Sequence, residues 1–162
     1  MPNPVIAYIG LGANLGDAIG TLLNACDALR ALAHTSHVCV SGFYCSAPIE
    51  ADGPDYINAV ASIKTTLPPQ ELLQQLFNIE NTYGRERSYL NAPRTLDMDL
   101  LLYGDQHINT AELTVPHPRM HLRAFVLQPL AELNPHIKLP AGSIKELLQA
   151  CTDQTIRPLD QG

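Results

Sequence analysis

The chain has 162 residues and a mass of 17.7 kDa, which is enough for one domain with its own core, so we expect a single domain over 1–162. Its 46% hydrophobic content excludes disorder as the default state. The balance of 10 basic against 16 acidic residues gives a net charge of -6, which argues against non-specific binding to nucleic acid or to anionic membranes.

No apolar run approaches the roughly 18 residues of a membrane span, and the N-terminus lacks the basic region of a signal peptide. We therefore expect a soluble, cytoplasmic protein. We also expect it to act as a monomer. The four cysteines form no CxxC pair, and we expect reduced, mostly buried thiols. They are Cys26, Cys39, Cys45 and Cys151.

The first half of the chain predicts three strands and one helix. A β-rich run over 5–9 ends at a glycine-rich turn that begins at Gly10, and apolar residues then recur at helical spacing from Asp17 to about Leu32. Residues 37–45 predict a second strand, and the alternating pattern of 56–65 predicts a third.

The second half predicts three helices and one strand. A helix opens at Pro68-Pro69 and ends near Gly84, a polar loop covers 85–94, and a fourth strand follows over 95–103. Residues 123–133 predict a helix, and Ser143 begins a capping box that starts the last one.

The resulting order is β-α-β-β-α-β with a helical C-terminal extension. This order is typical of an α+β ferredoxin-like sandwich, in which an antiparallel sheet carries helices on one face. The other face would remain free for a binding site, although a fold alone does not establish a function.

Two carboxylates on the fourth strand indicate a metal site. Asp97 and Asp99 are two residues apart, so they share one face, while Met98 and Leu100 point to the other. Paired carboxylates on a half-buried strand repel each other unless a cation neutralises them, and oxygen ligands without Cys or His favour Mg²⁺. The alternative interpretation is an edge strand that exposes two acids to water.

Arginines cluster near this pair. Arginine forks suit phosphate oxygens, so the set indicates a polyphosphate clamp, although any single member alone would more simply be a surface residue. The arginines between residues 85 and 123 are Arg85, Arg87, Arg94, Arg119 and Arg123. The chain has no Walker-type loop, and we interpret the glycines of 10–16 as a tight turn.

Tyr56 and Asn58 share a face of the third predicted strand. An aromatic ring beside a carboxamide suits a flat heterocycle with donor and acceptor edges, but such residues also simply decorate sheets. His117 lies between two prolines, and its residue type alone leaves a structural role equally open.

Five segments together resemble the 6-hydroxymethyl-7,8-dihydropterin pyrophosphokinase family. They occur in the family's order, and the resemblance spans roughly residues 4–135. The segments are YIGLGANLG at 8–16, FYCSAP at 43–48, PDYINA at 54–59, GR at 84–85 with PRTLDMDL at 93–100, and LTVPHPRM at 113–120 with Arg123 and Phe125.

The resemblance implies transfer of pyrophosphate from ATP to the hydroxymethyl group of the reduced pterin, with release of AMP, in folate biosynthesis. It implies that Asp97 and Asp99 hold two Mg²⁺ ions and that these aspartates, Arg85 and Arg94 are catalytic. The residues implied for ATP are Glu80, Arg85, Arg94, His117 and Arg123. The residues implied for the pterin are Ser46, Ala47, Ile49, Tyr56, Asn58 and Phe125.

The chain departs from the family in the loop before Pro93, where a tryptophan is common and this chain has SYLN at 88–91. Tyr89 is our expectation for the stacking residue of that loop. Two other functions remain open: a non-catalytic module that binds nucleotide or pterin, and a Mg²⁺-dependent nucleotidyltransferase, which would release pyrophosphate rather than AMP.

Overall fold

The computed structural model describes residues 3–14, 17–46, 55–83 and 96–159. Ten strands and four helices lie in these ranges. The strands are β1 Val5–Ala13, β2 Thr35–Val40, β3 Tyr44–Ser46, β4 Tyr56–Thr65, β5 Asp97–Tyr103, β6 Ile108–Asn109, β7 Thr114–Val115, β8 Lys138–Leu139, β9 Gly142–Ser143 and β10 Ile156–Pro158. The helices are α1 Ala18–Arg30, α2 Pro69–Tyr83, α3 Ala124–Leu133 and α4 Ile144–Gln149, and a 3-10 turn at Met120–Leu122 precedes α3.

The main sheet is antiparallel in every pairing. Its order is β10-β3-β4-β1-β5, and β2 also pairs with β4. Strands β2 and β3 therefore share one edge of β4, with β2 beside 61–65 and β3 beside 56–58. The fold is mixed α+β, as predicted.

The strand predicted over 37–45 is two strands with a break between them. At the break, the Ser41 hydroxyl accepts a hydrogen bond from the Val60 N–H at 3.0 Å and donates one to the Gly42 carbonyl at 2.8 Å. A side chain that bonds the backbone in this way competes with regular strand pairing. The chain then turns, and β3 begins at Tyr44.

The turn predicted at Gly10 is wrong, because β1 continues without interruption through Gly10 and Gly12 to Ala13. Both glycines are paired on each side, with β4 and with β5. Neither has a positive φ, so turn geometry is not the reason for glycine here.

Helices cover both faces of the sheet, which corrects the prediction of helices on one face only. On the first face, Ile9 and Leu11 of β1 pack into a core with buried side chains of α1 and α2. On the second face, Val60 and Leu101 pack with α3 and α4. The C-terminal extension therefore supplies the second helical layer.

Glu132 anchors α3 to the break between β2 and β3. Its carboxylate accepts hydrogen bonds from the Gly42 N–H at 2.7 Å and the Tyr44 hydroxyl at 2.6 Å. Burial raises the pKa of Tyr44 to about 12, and the bond to Glu132 acts in the same direction. Tyr44 therefore stays protonated and remains a donor to this carboxylate.

The cap predicted at Ser143 is present, and Asp17 caps the helix predicted to begin there. Asp17 accepts a hydrogen bond from the Gly20 N–H at 3.0 Å at the start of α1, and Ser143 accepts one from the Glu146 N–H at 3.3 Å at the start of α4. The cysteines are free, and only Cys39 is exposed. In the described ranges, no helix combines the length and the apolar character of a membrane span.

Candidate active site

A pocket of about 220 Å³ lies on the second face of the sheet, where the first residues of α3 approach β1, β4 and β5. It contains both predicted carboxylates and four of the residues predicted for the pterin. The lining residues are Gly10, Leu11, Gly12, Ser46, Tyr56, Asn58, Ala59, Asp97, Asp99, Arg123, Phe125 and Val126.

The floor of the pocket is the backbone of β1 at Gly10 and Gly12. Gly12 pairs with Asn58 on one side and Asp97 on the other, and Gly10 pairs with Asp99. A Cβ at Gly12 would lie 3.4 Å from the Asn58 Oδ1. The glycines therefore place no side chain of β1 between the carboxamide and the carboxylates.

The acidic wall is β5. Asp97 is half-buried and Asp99 exposed, while Met98 and Leu100 between and after them are buried on the first face. This alternation is the one predicted from the sequence, and it places both carboxylates on the same side of the strand.

Glu80, predicted beside the nucleotide, lies on α2 beneath the opposite face of the sheet. Its side chain is 5% exposed, and its Oε2 accepts a hydrogen bond from the Met98 N–H at 2.8 Å. It does not line the pocket, and its carboxylate instead holds the strand residue that lies between the two aspartates.

The opposite wall brings together the residues predicted for a flat heterocycle. Asn58 is 4% exposed, and its Nδ2 donates a hydrogen bond to the Ser46 Oγ at 2.6 Å, which fixes the carboxamide. Tyr56 lies beside this pair on β4, and Phe125 enters the pocket from the first turn of α3. The combination offers two aromatic rings and an oriented amide.

Two predicted phosphate ligands are described; Arg123 lines the pocket, whereas His117 does not. The Arg123 guanidinium lies 5.5 Å from the centre of the Phe125 ring and lines the pocket. Burial lowers the pKa of His117, and the negative charge of Asp99 partly opposes this effect, so His117 interacts electrostatically with one of the two carboxylates. Its Nδ1 accepts a hydrogen bond from the Arg119 N–H at 3.2 Å, an arrangement of the neutral ring in which Nε2 carries the proton.

Four predicted site residues lie outside the described residues: Ala47, Ile49, Arg85 and Arg94, together with Tyr89. Conversely, the sequence interpretation missed Gly10 and Gly12 as pocket residues. The signal that identifies them is alternation: Ala7, Ile9 and Leu11 occupy the core-facing positions, so the glycines fall on the other face.

Among the described residues, no group of three or more Asp, Glu, His or Cys side chains is arranged to hold a metal ion. The pair Asp97 and Asp99 nevertheless fits Mg²⁺, which keeps several waters and binds through one or two carboxylates and substrate phosphates. An all-protein cage is not required for this ion.

Residues 8–135 match the family described as 7,8-dihydro-6-hydroxymethylpterin-pyrophosphokinase (HPPK). The chain is 44% identical over 154 residues to a 2-amino-4-hydroxy-6-hydroxymethyldihydropteridine pyrophosphokinase of Pseudomonas aeruginosa, covering 94% of this chain and 95% of the relative. It is 43% identical to the enzyme of the same name from Haemophilus influenzae, covering 96% of this chain and 99% of that one.

The fold is similar to that of solved HPPK-DHPS structures. One in complex with substrates has a TM-score of 0.73 at 13% sequence identity, and a Plasmodium falciparum triple mutant has a TM-score of 0.74 at 14%. The chain aligns over 94% of its own length but spans only 44% and 45% of those longer chains. The family match and the two bacterial relatives show that this chain belongs to the HPPK family.

Proposed function

We propose that the pocket on the second face is where this chain carries out the reaction of its family. As a member of that family it is an ATP-dependent pyrophosphokinase of folate biosynthesis, which transfers pyrophosphate to the hydroxymethyl group of the reduced pterin and releases AMP. The observation that supports this location is the joint placement of two carboxylates and a heterocycle-type wall, with Gly10 and Gly12 of β1 between them.

The pterin would lie between Tyr56 and Phe125, with its amide edge against Asn58. The bond from Asn58 Nδ2 to Ser46 leaves the Asn58 Oδ1 as an acceptor on the side of Gly12. A pterin ring carries N–H donors that suit such an acceptor, and aromatic faces stack on it. Ala47 and Ile49 extend this proposed site along the chain.

Two Mg²⁺ ions would be held by Asp97 and Asp99 together with the phosphates of ATP. When bound, the metal neutralises charge on the phosphate oxygens and orients the reacting groups. The chain's own contribution is to hold both carboxylates on one strand face at the end of the pocket opposite the heterocycle wall.

The phosphates would be bound by Arg123 and His117, with Arg85 and Arg94 as further ligands. The Arg123 guanidinium lies 5.5 Å from the centre of the Phe125 ring, so a phosphate ligand would stand next to an aromatic residue of the pterin wall. The neutral His117 would donate from Nε2 to a phosphate oxygen, because its Nδ1 already accepts a backbone hydrogen bond. Positioning of the acceptor hydroxyl in line with the β-phosphorus accounts for a large share of the rate in such reactions.

We also propose the ferredoxin-like arrangement for the central βαββαβ unit. The unit runs β1, α1, the broken strand β2 and β3, β4, α2 and β5. The sheet order of the broken strand, β4, β1 and β5 supports this arrangement, as do the antiparallel pairings. Action as a monomer in the cytoplasm remains part of the proposal.

Product analysis tests the function. The purified chain is incubated with ATP, Mg²⁺ and the reduced pterin alcohol, and each component is omitted in turn. AMP and the pterin diphosphate, formed only in the complete mixture, are the expected products. Pyrophosphate as product would indicate nucleotidyl transfer, and binding of both ligands without turnover would indicate a non-catalytic module; either result contradicts the proposal.

A further inference from the structure

The last described segment of the chain contacts both walls of the pocket without lining it. Gln154 lies between α4 and β10 and bonds the backbone around Arg123 twice. Its Oε1 accepts a hydrogen bond from the Ala124 N–H at 2.8 Å, and its Nε2 donates one to the Leu122 carbonyl at 2.7 Å. A single carboxamide therefore brackets the residue that carries the Arg123 side chain.

One of these bonds serves the Ala124 N–H, a group at the start of α3 for which the helix itself offers no acceptor. The first N–H groups of an α-helix have no acceptor within the helix, and the N-cap residue of α3, Arg123, makes no side-chain cap bond. Gln154 acts as the missing cap, although it lies 30 residues farther along the chain. It thereby fixes the first turn of α3, from which Phe125 enters the pocket.

The same segment is joined to the other wall. Two residues after Gln154, β10 begins and pairs with β3, so that Ile156 lies opposite Ser46. Ser46 in turn accepts the hydrogen bond of Asn58. The Leu159 N–H donates to the Phe43 carbonyl at 2.8 Å and extends this attachment.

We propose that Gln154 is a positioning residue, which sets Arg123 and Phe125 against the Asn58 wall through a brace formed by residues 154–158. The brace connects the two walls of the pocket by one short stretch of chain. Its effect on the reaction arises through Arg123 and Phe125, because Gln154 does not line the pocket. The proposal rests on the proposed function, since it assigns these two side chains to the substrates.

The test removes hydrogen bonds of Gln154 while it keeps the length of the side chain. Gln154→Met removes both bonds, and Gln154→Glu keeps the acceptor for the Ala124 N–H but loses the donor to Leu122. The control is Gln149→Met, at an exposed position at the end of α4. Steady-state kinetics for AMP formation are measured at a temperature well below the melting temperature of each variant.

We expect Gln154→Met to raise the KM for the pterin and lower kcat, with a loss in kcat/KM on the order of tenfold to a hundredfold, because small misplacements of binding groups are costly. Gln149→Met should keep wild-type values. A variant of Gln154 that is less heat-stable but has wild-type kcat and KM would show a merely structural role and overturn the proposal. If Gln154→Met does not fold, Gln154→Glu decides the question by the same criterion.

The two proposals fail separately. Wild-type protein that forms no AMP contradicts the proposed function, whatever the variants do. Active wild-type protein with unchanged Gln154 variants contradicts only the brace.

Discussion

Neighbouring residues of β1 face two very different environments. Ile9 and Leu11 are buried under α1 and α2 on the first face, whereas Gly10 and Gly12 form the open floor of the pocket on the second. Strand β5 repeats the division, with Met98 in the core and Asp97 in the pocket. Because side chains alternate along a strand, the same segments supply core residues on one face and the candidate active site on the other.

The second face is itself divided into a pocket and an apolar core. The division falls at an irregularity in β5: Ile9 pairs with Leu100 and Tyr8 with Leu102, so Leu101 is an extra residue. Before this bulge, Asp97 and Asp99 face the pocket. At the bulge, Leu101 and Leu102 both join the core with α3, and Tyr103 returns to the core of the first face. Bulges often re-aim side chains next to active sites in this way.

The largest effect is expected from the carboxylates of the second face. Asp97→Ala or Asp99→Ala should lower AMP formation by on the order of 10² to 10³-fold, because each removes charge that would face the phosphates in the proposed complex, while the melting temperature stays near the wild-type value. Asp105→Ala, in the exposed turn after β5, is the matched control and should be fully active. Near wild-type turnover of either pocket variant with Mg²⁺ would contradict the metal assignment.

A core substitution on the first face should show the reverse pattern. Leu76 of α2 is fully buried, and Leu76→Ala should lower the free energy of unfolding by about 2–5 kcal/mol through the cavity it leaves. Its neighbour Phe77 is 42% exposed, and Phe77→Ala is expected to cost much less. Urea denaturation measures both. The kcat per folded molecule should remain unchanged, and a selective loss of kcat in the Leu76 variant would mean that the faces are not separate.

Much of the fold could be predicted from the sequence because its signals are local. The strand at 56–65 places apolar residues at every second position from Ile57 to Ile63, and Asp17 and Ser143 are cap residues that bond their own helices. The break in the strand predicted at 37–45 could not be predicted, because it depends on the Ser41 hydroxyl meeting the Val60 N–H from a distant strand. The position of α3 on the second face likewise depends on long-range contacts, such as Glu132 with Tyr44.

The candidate site shows the same limit. Asp97 and Asp99 stand two residues apart and predict a shared face, whereas Glu80 is buried behind the strand in a place that spacing alone does not indicate. The glycines of β1 were misinterpreted because Gly-x-Gly after a short apolar run is typical of a turn. The pairing of Gly12 with Asn58 on one side and Asp97 on the other shows that this glycine leaves space between their side chains.

Filling that space should affect binding more than stability. Gly12→Ala places a Cβ 3.4 Å from the Asn58 Oδ1, an ordinary contact distance, so the methyl group fits beside the carboxamide but occupies the space next to its acceptor oxygen. We expect kcat/KM for the pterin to fall roughly 10- to 200-fold, as for one methyl group too many in a binding pocket. The melting temperature should hold or rise slightly, since alanine costs less backbone entropy than glycine. A large loss of stability with unchanged KM would place Gly12 in the packing of the sheet instead.

The smallest effect is expected where the second face carries no chemistry. Ser143 caps α4, which packs against α3 and contributes no residue to the pocket lining. Ser143→Ala should therefore cost about 1 kcal/mol of unfolding free energy. Ser143→Asp keeps a capping oxygen and should retain most of that stability. Denaturation midpoints and kcat are measured for both variants, and kcat should not change. A kcat that fell in Ser143→Ala and returned in Ser143→Asp would mean that the loss of the α4 cap affects Arg123 through α3. The apolar half of the second face would then belong to the active site rather than to the core alone.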